Sequence, residues 1–370
     1  MVDLQEINAH DPRYTDKVFG HEGAERLFLE AFNSDRLHHA WLISGPKGIG
    51  KATLAWKFAK FLLSQQPENV GPGLFGDEVP SEAISLDTGP EDPTIQRIKS
   101  GGHGGLIVAE RTFNEKTGKM RNDIVIDDVR KLINFFSQTS AEGGWRVAIV
   151  DAADEMNSNA ANALLKVLEE PPEKSIIFLV AHSPGKLLPT IRSRCRAMNL
   201  NALPEESVKA VLAARFPEMS IDDLSSTALL SRGAPGRAIE IASLEGVTLY
   251  KEMVALLADL PRLNIPNVHQ FSVKIGAAKA DAKYRLFIQI YLDWIQRLVK
   301  QLATGMGSQE LISGETAQIT RISAFAGVDQ WLDLWEKMGE LINRADAVNL
   351  DRKQIIVTMF TALGALSRGK

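Results

Sequence analysis

"WLISGPKGIGKATLAWKFAKFLL", residues 41 to 63, settles the class of fold. A short apolar run, "WLIS", leads into a glycine-rich loop, and the remainder carries a helical pattern that opens at Lys51. Strand, loop and helix in that order form the context in which G-x-x-x-x-G-K becomes a phosphate-binding loop. Gly45, Gly48 and Gly50 allow backbone N–H groups to point inward around phosphate oxygens. The helix N-terminus adds positive potential, and Lys51 neutralises the terminal phosphates. The residue after the lysine normally offers a hydroxyl to magnesium; here it is Ala52. Thr53 carries a hydroxyl one place later, about 100° further round the helix. The loop therefore has its phosphate half and lacks its metal half, so ATP binding is expected to be weak and metal binding impaired.

Beyond the loop, three more short apolar runs recur with helical patterns between them: "LIVAE" at 106 to 110, "RVAIVD" at 146 to 151 and "SIIFLVA" at 175 to 181. Strands alternating with helices predict an α/β fold with a parallel sheet, and a run as uniformly apolar as "SIIFLVA" predicts cover on both faces. This P-loop domain is expected over residues 1–200. Residues 64–93, rich in proline, glycine and acids, read as an exposed insertion. After "LNALP" at 200 to 204 no strand-like run returns. Short helices around "EESVKAVLAARF" and "DDLSSTALLSR", broken by "GAPG" at 233 to 236, predict a small helical domain over 201–246. Longer helices, clearest in "YRLFIQIYLDWIQRLVKQLA" and "VDQWLDLWEKMGELINRADAVN", predict an all-helical third domain over 247–370.

Composition narrows the function classes. With 370 residues, 45% hydrophobic and 24% charged, and a net charge of -4, the chain reads as an ordinary globular protein without the basic signature of an independent nucleic-acid binder. A single cysteine, Cys195, excludes an internal disulfide framework and fits a reducing, cytoplasmic compartment. The first thirty residues show no basic head followed by an apolar run, and no stretch reaches about 18 uninterrupted apolar residues, so neither export nor membrane insertion is expected.

The second acidic motif is as incomplete as the first. In P-loop ATPases a later strand ends in an aspartate that serves the magnesium shell, and in hydrolysing members a glutamate follows to polarise water. Asp151 ends "RVAIVD", but the next residue is Ala152. Asp154 and Glu155 lie three and four places further on, beyond the strand edge, and read as a solvated turn. Losing the metal hydroxyl and the base together removes the parts that position and activate the nucleophile. Hydrolysis by this chain alone is not expected. The alternative is a true ATPase that uses Lys51, Asp151 and a substitute base such as Glu155. A DNA-binding regulator is disfavoured by the negative charge and the lack of a helix-turn-helix or basic stripe.

"SNAANALLKVLEEPPEKSIIFLVAHSPGKLLPTIRSRC", residues 158 to 195, carries a specific resemblance. With "NALLKVLEEPP" and "SRC", and with "RLHHAWLISGPKGIGK", "DDVRKLINFF" and "GAPGRAIEIA" elsewhere, the chain resembles bacterial clamp-loader subunits of the AAA+ class over roughly residues 17–245. Read as chemistry alone, "NALLKVLEEPP" is a buried helix with Leu164, Leu165 and Leu168 on one face, capped by Asn157 or Ser158 and stopped by Pro171 and Pro172. Lys166, Glu169 and Glu170 would face outward, as a solvated face or a subunit contact.

The resemblance implies an AAA+ P-loop domain, a helical lid and a helical collar that joins the subunits. It implies that Arg194 is an arginine finger acting in trans on ATP held by a neighbour, and that Arg237 is a lid arginine facing nucleotide. The degenerate nucleotide site would then comprise Gly45, Gly48, Gly50, Lys51, Thr53, Asp151 and Arg237. The implied partners are motor subunits and a delta subunit in a hetero-pentamer, with the sliding clamp and primed DNA reached through that complex. The implied setting is the DNA polymerase III holoenzyme, a nucleotidyltransferase complex of DNA replication. Many relatives carry a four-cysteine zinc module after the P-loop helix; residues 64–93 contain no cysteine, so no zinc is expected there. Cys195 reads as a packed side chain; His182 follows "SIIFLVA" near where the resemblance places a polar sensor residue, and a lone histidine at a strand end reads as structural.

Overall fold

The computed structural model describes residues 11–15, 17–65, 82–89, 91–114, 119–137, 144–277, 280–307, 309–348 and 350–369. The chain divides into two compact units, Met1–Ser207 and Val208–Lys370.

The first unit is built on five parallel strands in the order β2-β5-β6-β1-β7, where β1 is Ala40–Ser44, β2 Leu106–Ala109, β5 Arg146–Val150, β6 Ser175–Ala181 and β7 Arg196–Asn199. The four apolar runs read from the sequence form the first four of these, and β7 completes the edge beside β1. All seven residues of β6 are buried, as its uniform apolarity predicts for a central strand covered on both faces. Strand alternation sorts the core into two layers. Trp41, Ile43, Val147, Ile149, Phe178 and Val180 face one way, against the helices Glu22–Asn33, Lys51–Ser64 and Pro93–Lys99. Leu42, Ala148, Val150, Ile177 and Leu179 face the other, against Ile126–Ser137 and Ser158–Glu169. Phe28 stacks on Phe58 at 4.0 Å between centroids and tilts against Trp41 and Phe178, so one aromatic cluster ties two helices to two strands. Each such buried ring contributes about 1.5–3 kcal/mol through area removed from water.

Two details depart from the sequence reading. A short antiparallel hairpin, β3 Phe113–Asn114 with β4 Lys119–Met120, follows β2 and has no strand signal of its own. Of the expected insertion 64–93, residues 66–81 and 90 lie outside the described residues. The part from 82 to 89 is fastened to the domain: Ala83 exchanges two hydrogen bonds with the Asn33 side chain, Leu86 is buried in the core, and Lys57 bridges Asp87 and Glu25 at 2.9 Å each.

The second unit is helical throughout its described residues. The helix Glu205–Arg215 leads into it, and its further helices run Ile221–Ser231, Pro235–Ser243, Gly246–Ala258, Ile265–Ile275, Asp281–Thr304, Glu315–Ser323, Val328–Val348 and Arg352–Leu366. Pro235 opens its helix at the first turn, where its missing N–H is harmless. Leu230 and Ile241, from the segment expected as a lid, share one core with Tyr291, Trp294, Trp331 and Phe360 from the segment expected as a collar. A buried polar knot lies within the same unit. Glu315 accepts from the Tyr250 hydroxyl, from Arg297 at 3.2 Å and from the Leu311 N–H at 2.8 Å.

Candidate functional site

The carboxyl ends of β1, β5 and β6 converge where open parallel sheets bind ligands. Because β6 lies between β1 and β5, its end separates the P-loop from Asp151. The loop has the shape that its glycines predict. Gly45, Gly48 and Gly50 have φ of +149°, +77° and +102°, values that side chains rarely adopt. At Gly45 there is also no room, since a Cβ would stand 2.4 Å from the Leu200 carbonyl oxygen. Lys51 opens the helix, is buried, and donates to the carbonyls of Gly45 at 2.8 Å and Pro46 at 2.7 Å. Burial lowers its pKa to about 8, against the opposing attraction of Asp151 and Asp154. Beneath the loop, the buried His21 donates from Nε2 to the Ile49 carbonyl at 2.8 Å.

The acidic side of the site is tied up internally. Asp151 follows β5, its N–H donates to the Ala109 carbonyl, and burial raises its pKa despite the nearby Lys51. Ala152 takes φ +63° and turns the chain into the short helix Ala153–Glu155. Asp154 accepts from the backbone N–H groups of His182 at 2.9 Å and Ser183 at 2.8 Å, which clamps this turn to the end of β6. Glu155 pairs with Arg111 at 2.8 Å. The two acids expected on a solvated turn are thus half-buried and engaged. His182, which reads from the sequence as merely structural, has a buried Nδ1 with no hydrogen-bond partner among the described residues. Its pKa is lowered, by burial first and then by Lys51, so the ring is neutral at pH 7. The sequence puts His182 at the end of this strand, and the strand order adds that this end lies between the P-loop strand and Asp151.

The donor set fits phosphate and does not fit magnesium beside it. Loop N–H groups between Gly45 and Gly50, together with Lys51, form an anion cradle at a helix N-terminus. Ala52 offers no side-chain oxygen, and Thr53 is half-buried one position round the helix.

Arg194 stands elsewhere on this unit. The helix Ser158–Glu169 is capped by Asn157, whose side chain accepts from the Ala160 N–H at 2.9 Å, and it buries Leu164 and Leu168, while Leu165 is only partly covered. Beyond β6, Leu187 and Ile191 enter the same core and anchor the turn Pro189–Arg192, which presents Arg194. Its guanidinium donates to the Thr190 carbonyl at 3.0 Å and pairs with Glu169 at 2.8 Å, with the side chain 36% exposed. Cys195 beside it is half-buried, and burial pushes its thiol up to about 12, which leaves it protonated and unreactive at neutral pH. Arg237, in the second unit, pairs with Asp293, which also takes Arg232 at 3.1 Å. The structure thus brings Lys51, Asp151, Asp154 and His182 together, and gives Arg194 and Arg237 partners of their own.

A five-stranded parallel sheet with a P-loop on one strand and an acidic motif on another, followed by a helical unit, defines a P-loop protein of the AAA+ class. The DNA polymerase III delta subunit family model matches residues 20–204, and the chain belongs to that family. It is 37% identical over 198 residues to the DNA polymerase III subunit delta' of Pseudomonas aeruginosa, covering 53% of each chain. It is 32% identical over 213 residues to the delta' subunit of Escherichia coli, covering 58% of this chain and 57% of that one. A DNA polymerase III subunit gamma/tau from Mycobacterium tuberculosis is 31% identical over 198 residues, 53% of this chain and 30% of the relative. The chain spans about half the length of the delta' relatives that it matches.

Proposed function

We propose that this chain works as a delta-prime-type subunit of a DNA polymerase III clamp loader, silent as an ATPase, that supplies Arg194 in trans to ATP held by a neighbouring subunit. The observation that carries this reading is the composition of the P-loop edge. Lys51 and the glycines are present, while Ala52 and Ala152 occupy the metal-hydroxyl and base positions. Glu155, the substitute base that an active motor would need, is paired with Arg111. A nucleotide's phosphates would be held by the loop N–H groups and Lys51; with no metal position that fits, no turnover follows there.

What this chain contributes is a placed cation. The guanidinium is planar and permanently charged, so it suits both phosphate contact and stabilisation of charge that develops as a phosphoryl group leaves. Its backbone sits on a turn pinned by Ile191, a rigid mount for a group that must be aimed. The proposed partners are motor subunits and a delta subunit in a five-membered assembly, with a lid at 201–246 and a collar at 247–370. The sliding clamp and primed DNA are engaged through that complex.

The test is ATP turnover by the purified chain, then by the chain assembled with its motor and delta partners. The expected result is no turnover alone and robust turnover in the assembly. At the site it serves, Arg194→Ala should cut turnover on the order of a thousandfold. Steady turnover by the isolated chain, abolished by Lys51→Ala, would overturn the proposal, as would a wild-type rate in the Arg194→Ala assembly.

A further inference from the structure

We infer that Glu169 is the positioning residue for Arg194, holding its guanidinium in the orientation from which it engages a neighbour's phosphate. The inference rests on the trans-acting role proposed for Arg194 and adds a second residue to it.

An arginine side chain has about 2 kcal/mol of rotamer entropy to lose. An exposed, unheld guanidinium would therefore sample many directions. Here two contacts at different nitrogens fix its plane. Nη1 donates to the Thr190 carbonyl within its own turn, and Nη2 pairs with Glu169 Oε1 from another helix. One contact would leave a pivot; two define the direction of the fork. A guanidinium carries five N–H groups, so this arrangement leaves most of its donors for an incoming anion.

The placement of Glu169 argues against a purely stabilising role. It is the last residue of the helix Ser158–Glu169, where the helix dipole favours cations and disfavours a carboxylate. Helix stability alone would place lysine or arginine there. Its pairing is also too open to matter much for folding, with side chains 49% and 36% exposed. A local choice that works against its own helix and returns little stability points to a use elsewhere. Both partners are mounted on one core, since Leu168 and Leu164 beneath Glu169 share a buried cluster with Leu187 and Ile191 beneath Arg194. The pair is thus held by elements that cannot shift independently.

The test uses the assembled complex with wild-type chain, Glu169→Gln, Arg194→Ala and the double variant, and reads kcat and KM for ATP, assembly, and the melting temperature of the chain. Glu169→Gln should lower kcat roughly two- to fivefold, the range that an exposed ion pair can supply, with KM, assembly and melting temperature unchanged. The double variant should match Arg194→Ala alone, because Glu169 acts only through Arg194. An unchanged or raised kcat in Glu169→Gln, or losses that add in the double variant, would overturn the inference. If Arg194→Ala is impaired while Glu169→Gln is not, positioning fails and the trans-acting arginine stands. If Arg194→Ala turns over like wild type, the functional proposal itself falls.

Discussion

At the carboxyl ends of β1, β5 and β6 the charged groups are spent on the protein itself: Lys51 on the carbonyls of Gly45 and Pro46, Asp154 on the amides of His182 and Ser183, Glu155 on Arg111. On the turn after Ile191 the opposite holds, and Arg194 is partly exposed with two light contacts that orient it. Both regions belong to one domain and flank the same strand, β6. A nucleotide-binding shape can therefore persist as architecture after its metal and base positions are lost, with the remaining charged groups serving as internal fasteners. Arg194 has lighter anchorage, which is what the role proposed for it requires.

Experiment can separate the two regions. Substitution at the loop should register in stability, and substitution at Arg194 in turnover. Gly45→Ala forces a Cβ against the Leu200 carbonyl oxygen at a positive φ, and should cost about 3 kcal/mol or more in chemical denaturation. An unchanged denaturation midpoint would mean that the loop is not packed as described.

Lys51 should show its burial through pH. Its folded pKa of about 8 lies below the ordinary lysine value of 10.5, so between those values the unfolded chain holds a proton that the native chain has released. Native stability therefore rises with pH across that window, and relative to Lys51→Met the wild type should gain about 2 kcal/mol between roughly pH 7.5 and 9.5. Affinity for a fluorescent nucleotide analogue should move the other way, weakening above about pH 8 as the ammonium loses its charge. Parallel pH profiles for wild type and Lys51→Met would show that the lysine is solvated.

Asn157→Ala removes the cap of the helix that carries Glu169 and should cost about 1 kcal/mol, read as a lowered melting temperature. Because this helix also supports the Arg194 pair, the same variant distinguishes support from aim: stability should fall while turnover by the assembled complex holds.

The strands β1, β2, β5 and β6, the P-loop and the helices at 281–304 and 328–348 are legible in the sequence, because apolar periodicity and glycine spacing act over a few residues. The strand pair at 113–114 and 119–120 is not, because two-residue strands carry no periodicity. Asp154 and Glu155 read as solvated because charge near a turn usually is; their partners lie on other segments of the sheet's edge. Among the candidate residues, Gly45, Lys51 and Asp151 announce themselves through local motifs. His182 and His21 do not, since each matters only through what folding sets beside it.

Residue identity at fixed spacing is enough to establish a parallel α/β P-loop domain with helices after it, and to show that its metal-hydroxyl and base positions are alanines. The destination of the remaining charges is a matter of packing. The Asp154 carboxylate accepts from the His182 backbone N–H across 28 residues, and Arg237 donates to Asp293 across 56. Such pairings depend on strand order and helix packing, which no local pattern encodes, and only they show which charges hold the fold.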